Sequence, residues 1–303
     1  MLTVIVPVRK TRLVIVHYHI FKNGGSTIES VLNRQFGDAF ATLHGPTENA
    51  VLDGSDLLDF LASYPGVKAV SSHHLRYPKP EERTLILFDC CFLRDPLTRL
   101  HSEYSYFNRV DSDDPFCLMA HRYSARDFIS RLLDESPNRA SNVQVTELAC
   151  ASAFTRPANE DDLDRASSIV RQMAIPGVVE LFDESLVAAE YYLKPAFPRL
   201  RLDYVAKNVS PAAAGRDGDL AAVWGSALYD RVARLNQLDL ELVRRARDEI
   251  ACRLGLIPSC SRLLAEFRDR CRARDAASAG CQGALLGTLV KNEAAAPLYR
   301  MPQ

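Results

Sequence analysis

The stretch HIFKNGGSTIES, residues 19–30, restricts the fold of this 303-residue chain more than any other. It closes the apolar, β-branched run LVIVHYHI (13–20), which reads as a buried parallel strand. It then leads into Thr27–Phe36, where Ile28, Val31, Leu32 and Phe36 recur at helical spacing. The unit is therefore strand, tight loop, helix. Gly24 and Gly25 let successive backbone amides turn toward one centre, Ser26 and Thr27 add hydroxyl donors, and the helix contributes a positive N-terminal end. Such a loop holds phosphate or sulfate. Lys22 stands ahead of the glycines, whereas a Walker A loop places its lysine after them, so the pattern is not that of an ATPase. A capping turn with a solvated lysine is the plain alternative.

The rest of the chain repeats strand and helix. VKAVSSHH (67–74) and RTLILFDCCFL (83–93) are further strands, and the second ends at Arg94-Asp95-Pro96. Asp95 suits an N-cap and Pro96 a first helical position, so LTRLHSEYSYF begins a helix at the strand's carboxyl end. Helices are predicted around 124–135, 160–173, 183–194 and 226–254, and PGVVELF (176–182) is a last strand. This order predicts an α/β fold: a three-layer, P-loop-like sandwich around a mostly parallel sheet, with a helix-rich C-terminal half. Residues 1–264 are expected to form one domain, and 265–303 an accessory helix and loose tail. The opening MLTVIVPVRKTRLVIVHYHI is interrupted by Arg9, Lys10 and Arg12 and reads as two strands, neither a signal peptide nor a membrane span.

A net charge of −1 offers no field to attract nucleic acid, so an anionic ligand must be caught by particular side chains. Basic residues comprise 30 Arg and 7 Lys, which makes Lys22 conspicuous. The eight cysteines include no Cys-x-x-Cys pair, and Cys90-Cys91 sits in an apolar run as small core hydrophobes. A reducing, cytoplasmic setting is expected. No metal cluster is expected, including among Cys252, Cys260, Cys271 and Cys281.

A second anion site is legible beside the first. Arg94 lies at a strand end and Ser102 two turns into the next helix, so a guanidinium fork and a hydroxyl can grip one anion, with Arg99 able to share that face. Two anion sites at neighbouring strand ends suit a ligand with phosphate at both ends. The two motifs together resemble those of sulfotransferases that use 3'-phosphoadenosine-5'-phosphosulfate (PAPS), in the branch of the heparan 2-O type and its bacterial relatives. The resemblance matches Lys22, Asn23, Gly24, Gly25, Ser26 and Thr27 to the family's 5'-phosphosulfate loop. It matches Arg94, Asp95, Pro96, Arg99, Ser102 and Tyr104 to the segment whose first Arg and whose Ser hold the 3'-phosphate. SHHLRY (72–77), Asn142–Leu148, VVELFDESL (178–186) and the helix at 235–250 extend it, covering about Leu13 to Leu254.

The resemblance implies sulfuryl transfer from PAPS to a hydroxyl of a carbohydrate or glycosylated small molecule, without a metal. Lys22 would stabilise the leaving oxygen, Asn23 and the loop would hold the donor, and a histidine would take the acceptor proton. His74 is the expected base and His73 the second choice; adjacent strand residues face opposite ways, so one of them enters the site. His17 and His19 are expected to pack beneath the loop. Asp111, Asp113 and Asp114 read as a solvated run, and GRDGD (215–219) as a lid with Arg216 as a contact. A diverged nucleotide or small-molecule kinase and a non-catalytic nucleotide-binding relative are the alternatives.

Overall fold

The computed structural model describes residues 11–47, 50–150, 156–205 and 220–285. The expected strand within 1–10, the GRDGD segment with Arg216, and the final tail lie outside these residues. Five strands are described: β1 (Arg12–Tyr18), β2 (Phe40–Thr42), β3 (Ala69–Ser72), β4 (Leu85–Leu93) and β5 (Ile175–Val178). They form one sheet in the order β2-β3-β1-β4-β5, with every neighbouring pair parallel. The α/β expectation holds, and the described sheet is wholly parallel. Parallel strands need both faces covered, which is why β1 and β4 are apolar almost throughout.

Helices α1 (Gly25–Phe36) and α2 (Gly54–Ser63) follow β1 and β2. After β4 come α3 (Pro96–Phe107), α4 (Pro115–Arg122), α5 (Ala125–Glu135), α6 (Pro137–Ala140), α7 (Val143–Ala149) and α8 (Glu160–Gln172). After β5 come α9 (Phe182–Leu193), α10 (Leu220–Trp224), α11 (Ser226–Leu235), α12 (Gln237–Gly255) and α13 (Cys260–Leu285). The two-residue period of β1 sends Val14, Val16 and Tyr18 into a core with Leu57 of α2, Val145 of α7, Leu163 of α8 and Leu242 of α12. Ile15 points the other way, to Ile28 and Leu32 of α1, Leu186 of α9 and Phe267 of α13. These are the three layers. A third cluster, built by Leu100 of α3, Phe128 of α5, Trp224 of α10 and Val232 of α11, lies off the sheet.

Several expected boundaries shift for local reasons. The helix expected over 226–254 breaks at Asn236, whose amide donates to Ala140 O at 2.8 Å and whose Oδ1 accepts from Asn142 N at 3.0 Å. The strand expected over 176–182 ends at Val178, and the chain turns into α9 at Phe182. Helix α13 begins at Cys260 and runs through the expected limit at 264, with Phe267 fully buried in the sheet's core. Arg12, which interrupts the opening apolar run, caps α2: its Nη1 donates to Leu61 O at 2.7 Å and its Nη2 to Tyr64 O at 2.8 Å. Among the described residues no helix is long and apolar enough to cross a membrane.

Candidate functional site

The loop between β1 and α1 turns through two left-handed residues, Lys22 at φ 67° and Gly24 at φ 75°. Glycine takes this conformation freely, but a lysine there is strained by about 1–2 kcal/mol and must be held by its surroundings. Arg94, at the end of the neighbouring strand, supplies part of that hold: its Nη1 donates to Lys22 O at 3.0 Å. Gly25 is needed for a different reason, close approach, since a Cβ there would lie 1.8 Å from His19 Nε2. The Lys22 ammonium rests 4.4 Å from the centre of the Tyr106 ring and 5.5 Å from that of Phe21. Burial, with the charges of Arg109 and Arg94, lowers its pKa to about 8.

The N-terminus of α1 has no side-chain cap and no acid in its first turn. By contrast α2, α3, α4, α5 and α8 are capped by the side chains of Asp53, Asp95, Asp114, Ser124 and Asn159. Helices α6, α7, α9, α11 and α12 also start without a side-chain cap, so the start of α1 is one of several and is set apart by the Lys22-to-Thr27 loop that leads into it. Ser26 is exposed at the same turn, and Thr27 is buried.

Asn23 departs from its expected role. It is buried, and its amide nitrogen donates to Phe92 O and to Gln144 Oε1, both at 2.8 Å. Both amide hydrogens are thus used inside the protein, so the side chain fastens the loop instead of donating to an anion. Gln144, which sequence reasoning passed over, joins the two motifs. Its Oε1 also accepts from Arg94 N at 2.8 Å, and its Nε2 donates to Arg94 O at 2.8 Å and to Asp239 Oδ2 at 3.3 Å.

Of the second motif, Asp95 caps α3 as predicted, accepting from Thr98 N at 2.9 Å, and Pro96 opens the helix. The Arg94 Nε donates to Thr98 Oγ1 at 3.3 Å, which fastens the guanidinium to the first turn of α3; Ser102, half-buried, lies four residues beyond Thr98. Arg99 faces inward, contrary to expectation: it is buried and pairs with Glu103 at 3.1 Å within the helical cluster. Tyr104 also serves structure, its hydroxyl donating to Tyr123 O at 3.3 Å, and Tyr106 is the tyrosine that meets Lys22.

β3 ends at Ser72, so His73 and His74 lie in the bend that follows it, and the acceptor nitrogen of the expected base is already engaged. His74 Nδ1 accepts from Gly45 N at 2.7 Å, and its ring meets His44 at 5.9 Å. A neutral imidazole with Nδ1 engaged as acceptor carries its proton on Nε2 and has no second lone pair to offer a hydroxyl. His73 turns toward the loop. Its ring lies 3.6 Å from His19 and 6.4 Å from Phe21, the ring that also flanks Lys22. Burial, helped by His19, lowers His73 to about 3, so the ring is neutral at working pH.

Beneath the loop, His17 and His19 are buried as expected. His17 Nδ1 bonds to Ser71 Oγ, Ser71 Oγ donates to Glu29 Oε1, and His19 Nδ1 donates to the same oxygen, each at 2.9 Å. Burial works against the Glu29 carboxylate, but the bonds from His19 and Ser71 outweigh it and bring its pKa to about 2. His17, His19 and Glu29 place donor atoms within 4.8 Å of one another, a spacing open to a cation, although hydrogen bonds already engage each residue.

No family model matches the chain. It is similar to an uncharacterized protein of Archaeoglobus fulgidus, 26% identical over 204 residues, which is 65% of this chain and 80% of that protein.

Proposed function

We propose that the protein is a PAPS-dependent sulfotransferase acting on a hydroxyl, in keeping with the resemblance of its two motifs. The observation that carries the reading is the strained Lys22, fixed ahead of the glycines by Arg94 from the adjacent strand, at a helix start with no side-chain cap and no acid in its first turn. The loop amides and the Ser26 and Thr27 hydroxyls bind the 5'-phosphosulfate, and Arg94 and Ser102 bind the 3'-phosphate. Sulfuryl transfer is in line and loose, so the protein's task is to place the acceptor and stabilise charge on the departing oxygen. The Lys22 ammonium leaves the Tyr106 ring and donates to that oxygen.

His73 takes the acceptor proton in this proposal, in place of His74, whose acceptor nitrogen is occupied. Burial sets its low proton affinity, and a bound anionic donor raises it. The acceptor is a carbohydrate or glycosylated small molecule, and the setting cytoplasmic. The decisive experiment is calorimetric titration with adenosine 3',5'-bisphosphate, the product nucleotide. Binding tighter than that of adenosine 5'-phosphate is expected; equal affinities would sink the reading, because Arg94 and Ser102 would then hold nothing. Magnesium-dependent consumption of ATP would instead favour a kinase.

A further inference from the structure

Lys22 has a second cation for a neighbour. Arg109 directly follows α3, its backbone N donating to Tyr106 O at 3.0 Å and its Nε to Ser105 O at 3.0 Å. The second bond holds the guanidinium beside the last turn of α3, the turn whose Tyr106 ring lies 4.4 Å from the Lys22 ammonium. After burial, the charge of Arg109 does most to lower the pKa of Lys22, ahead of that of Arg94, whose Nη1 bonds the Lys22 carbonyl. Arg109 is exposed and Arg94 half-buried, so solvent screens Arg109 more. To outweigh Arg94 it stands nearer the ammonium.

The chain does not supply this pair with an acid. Glu103, whose charge does reach Lys22, is buried and paired with Arg99 at 3.1 Å and Arg139 at 3.6 Å. Asp111 and Asp113 are exposed within four residues of Arg109, and Asp114 caps α4, yet among the described residues none of the three pairs with it. The two Nη nitrogens of Arg109 have no acceptor among the described residues, and the side chain is exposed, so a ligand reaches them without disturbing the core. A planar guanidinium fork fits two oxygens of a tetrahedral oxyanion, and an anion set between two cations relieves their repulsion.

We infer that Arg109 is a further donor-binding residue, whose Nη groups grip the terminal sulfuryl oxygens of PAPS beside Lys22. The inference rests on the nucleotide reading above, and it adds a residue that lies outside both anion motifs. The α1 amides take the 5'-phosphate and Lys22 meets the bridging oxygen, so the sulfuryl group extends past the ammonium, where Arg109 stands.

Calorimetry without an acceptor tests it, with PAPS, adenosine 3',5'-bisphosphate and adenosine 5'-phosphate as probes of the wild type and of Arg109→Ala. The bisphosphate is the donor without its sulfuryl group. Arg109→Ala should lose about tenfold in affinity for PAPS, as befits loss of a hydrogen bond between charged groups, and less than about twofold for the bisphosphate. The position is exposed, so the variant should fold as the wild type does. PAPS affinity unchanged in Arg109→Ala, or an equal loss for PAPS and the bisphosphate, would overturn the inference while leaving the nucleotide reading intact. Wild-type protein that binds the bisphosphate no tighter than adenosine 5'-phosphate would overturn both.

Discussion

Helices α1 and α7 start in the same way, from a left-handed residue whose side chain does not cap: Gly24 at φ 75° and Asn142 at φ 48°. At α7 the gap is filled from within. The buried Asp239 carboxylate of α12 accepts from Gln144 N at 3.1 Å and Val145 N at 2.9 Å, while Asn142 Oδ1 returns the favour to Leu238 N and Asp239 N. At α1 the N-cap is a glycine with no side chain to accept, and the first turn holds no acid. The chain can bring an acid from far away to a helix start, and it does so where a permanent joint is wanted. The open start of α1 is therefore suited to an anion that comes and goes.

Removing the cation that serves the open end should have the largest effect. Lys22→Ala is expected to lower sulfuryl transfer by about a thousandfold, as loss of a leaving-group donor does, with an unchanged circular dichroism spectrum. Wild-type rates in this variant would end the case for Lys22. Removing the acid from the filled end should act on stability instead. Asp239→Ala strands buried amides of α7 and should cost about 3 kcal/mol in urea unfolding. Gly25→Ala forces a methyl against His19 and should cost roughly 1–3 kcal/mol; His19→Ala should relieve much of it in the double variant, which additive losses would contradict.

The pH dependence separates the ends further. Burial lowers the pKa of Lys22 to about 8, so it is the charged partner below that value. Bisphosphate affinity should thus be level below pH 8 and fall by up to about tenfold per unit above it, where the free ammonium is lost. A flat profile to pH 9.5 would show that Lys22 does not meet the nucleotide. The smallest change is Ser26→Asp, which fills α1 as Asp239 fills α7. It should stabilise the fold by about 0.5 kcal/mol in thermal unfolding while weakening nucleotide binding.

The parts of this arrangement that were legible in sequence are those set by neighbours along the chain. LVIVHYHI declares β1, Asp95-Pro96 declares the start of α3, and both motifs meet at adjacent strand ends because parallel connections bring them there. Helix α2 was missed although Asp53 and Asp56 form a capping box at its start. β2 is only three residues long, too short for a two-residue period to register. Gln144 and Asp239 could not be foreseen, since the bonds between them join residues about a hundred positions apart. Nor could the turning of His74 toward Gly45, which depends on a loop 29 residues away in sequence.

Cys90 and Cys91 occupy successive positions of β4, and the pleat sends one sulfur into each of the two cores that flank the sheet. Burial pushes both thiols up and keeps them unreactive while the layers are closed. A thiol reagent applied to the native protein therefore sees two doors side by side. Label at Cys90 records the lifting of the layer that contains α1, and label at Cys91 the lifting of the layer that contains α7 and α12. One dipeptide thus lets the breathing of each half be timed separately, in a single peptide of a mass spectrum.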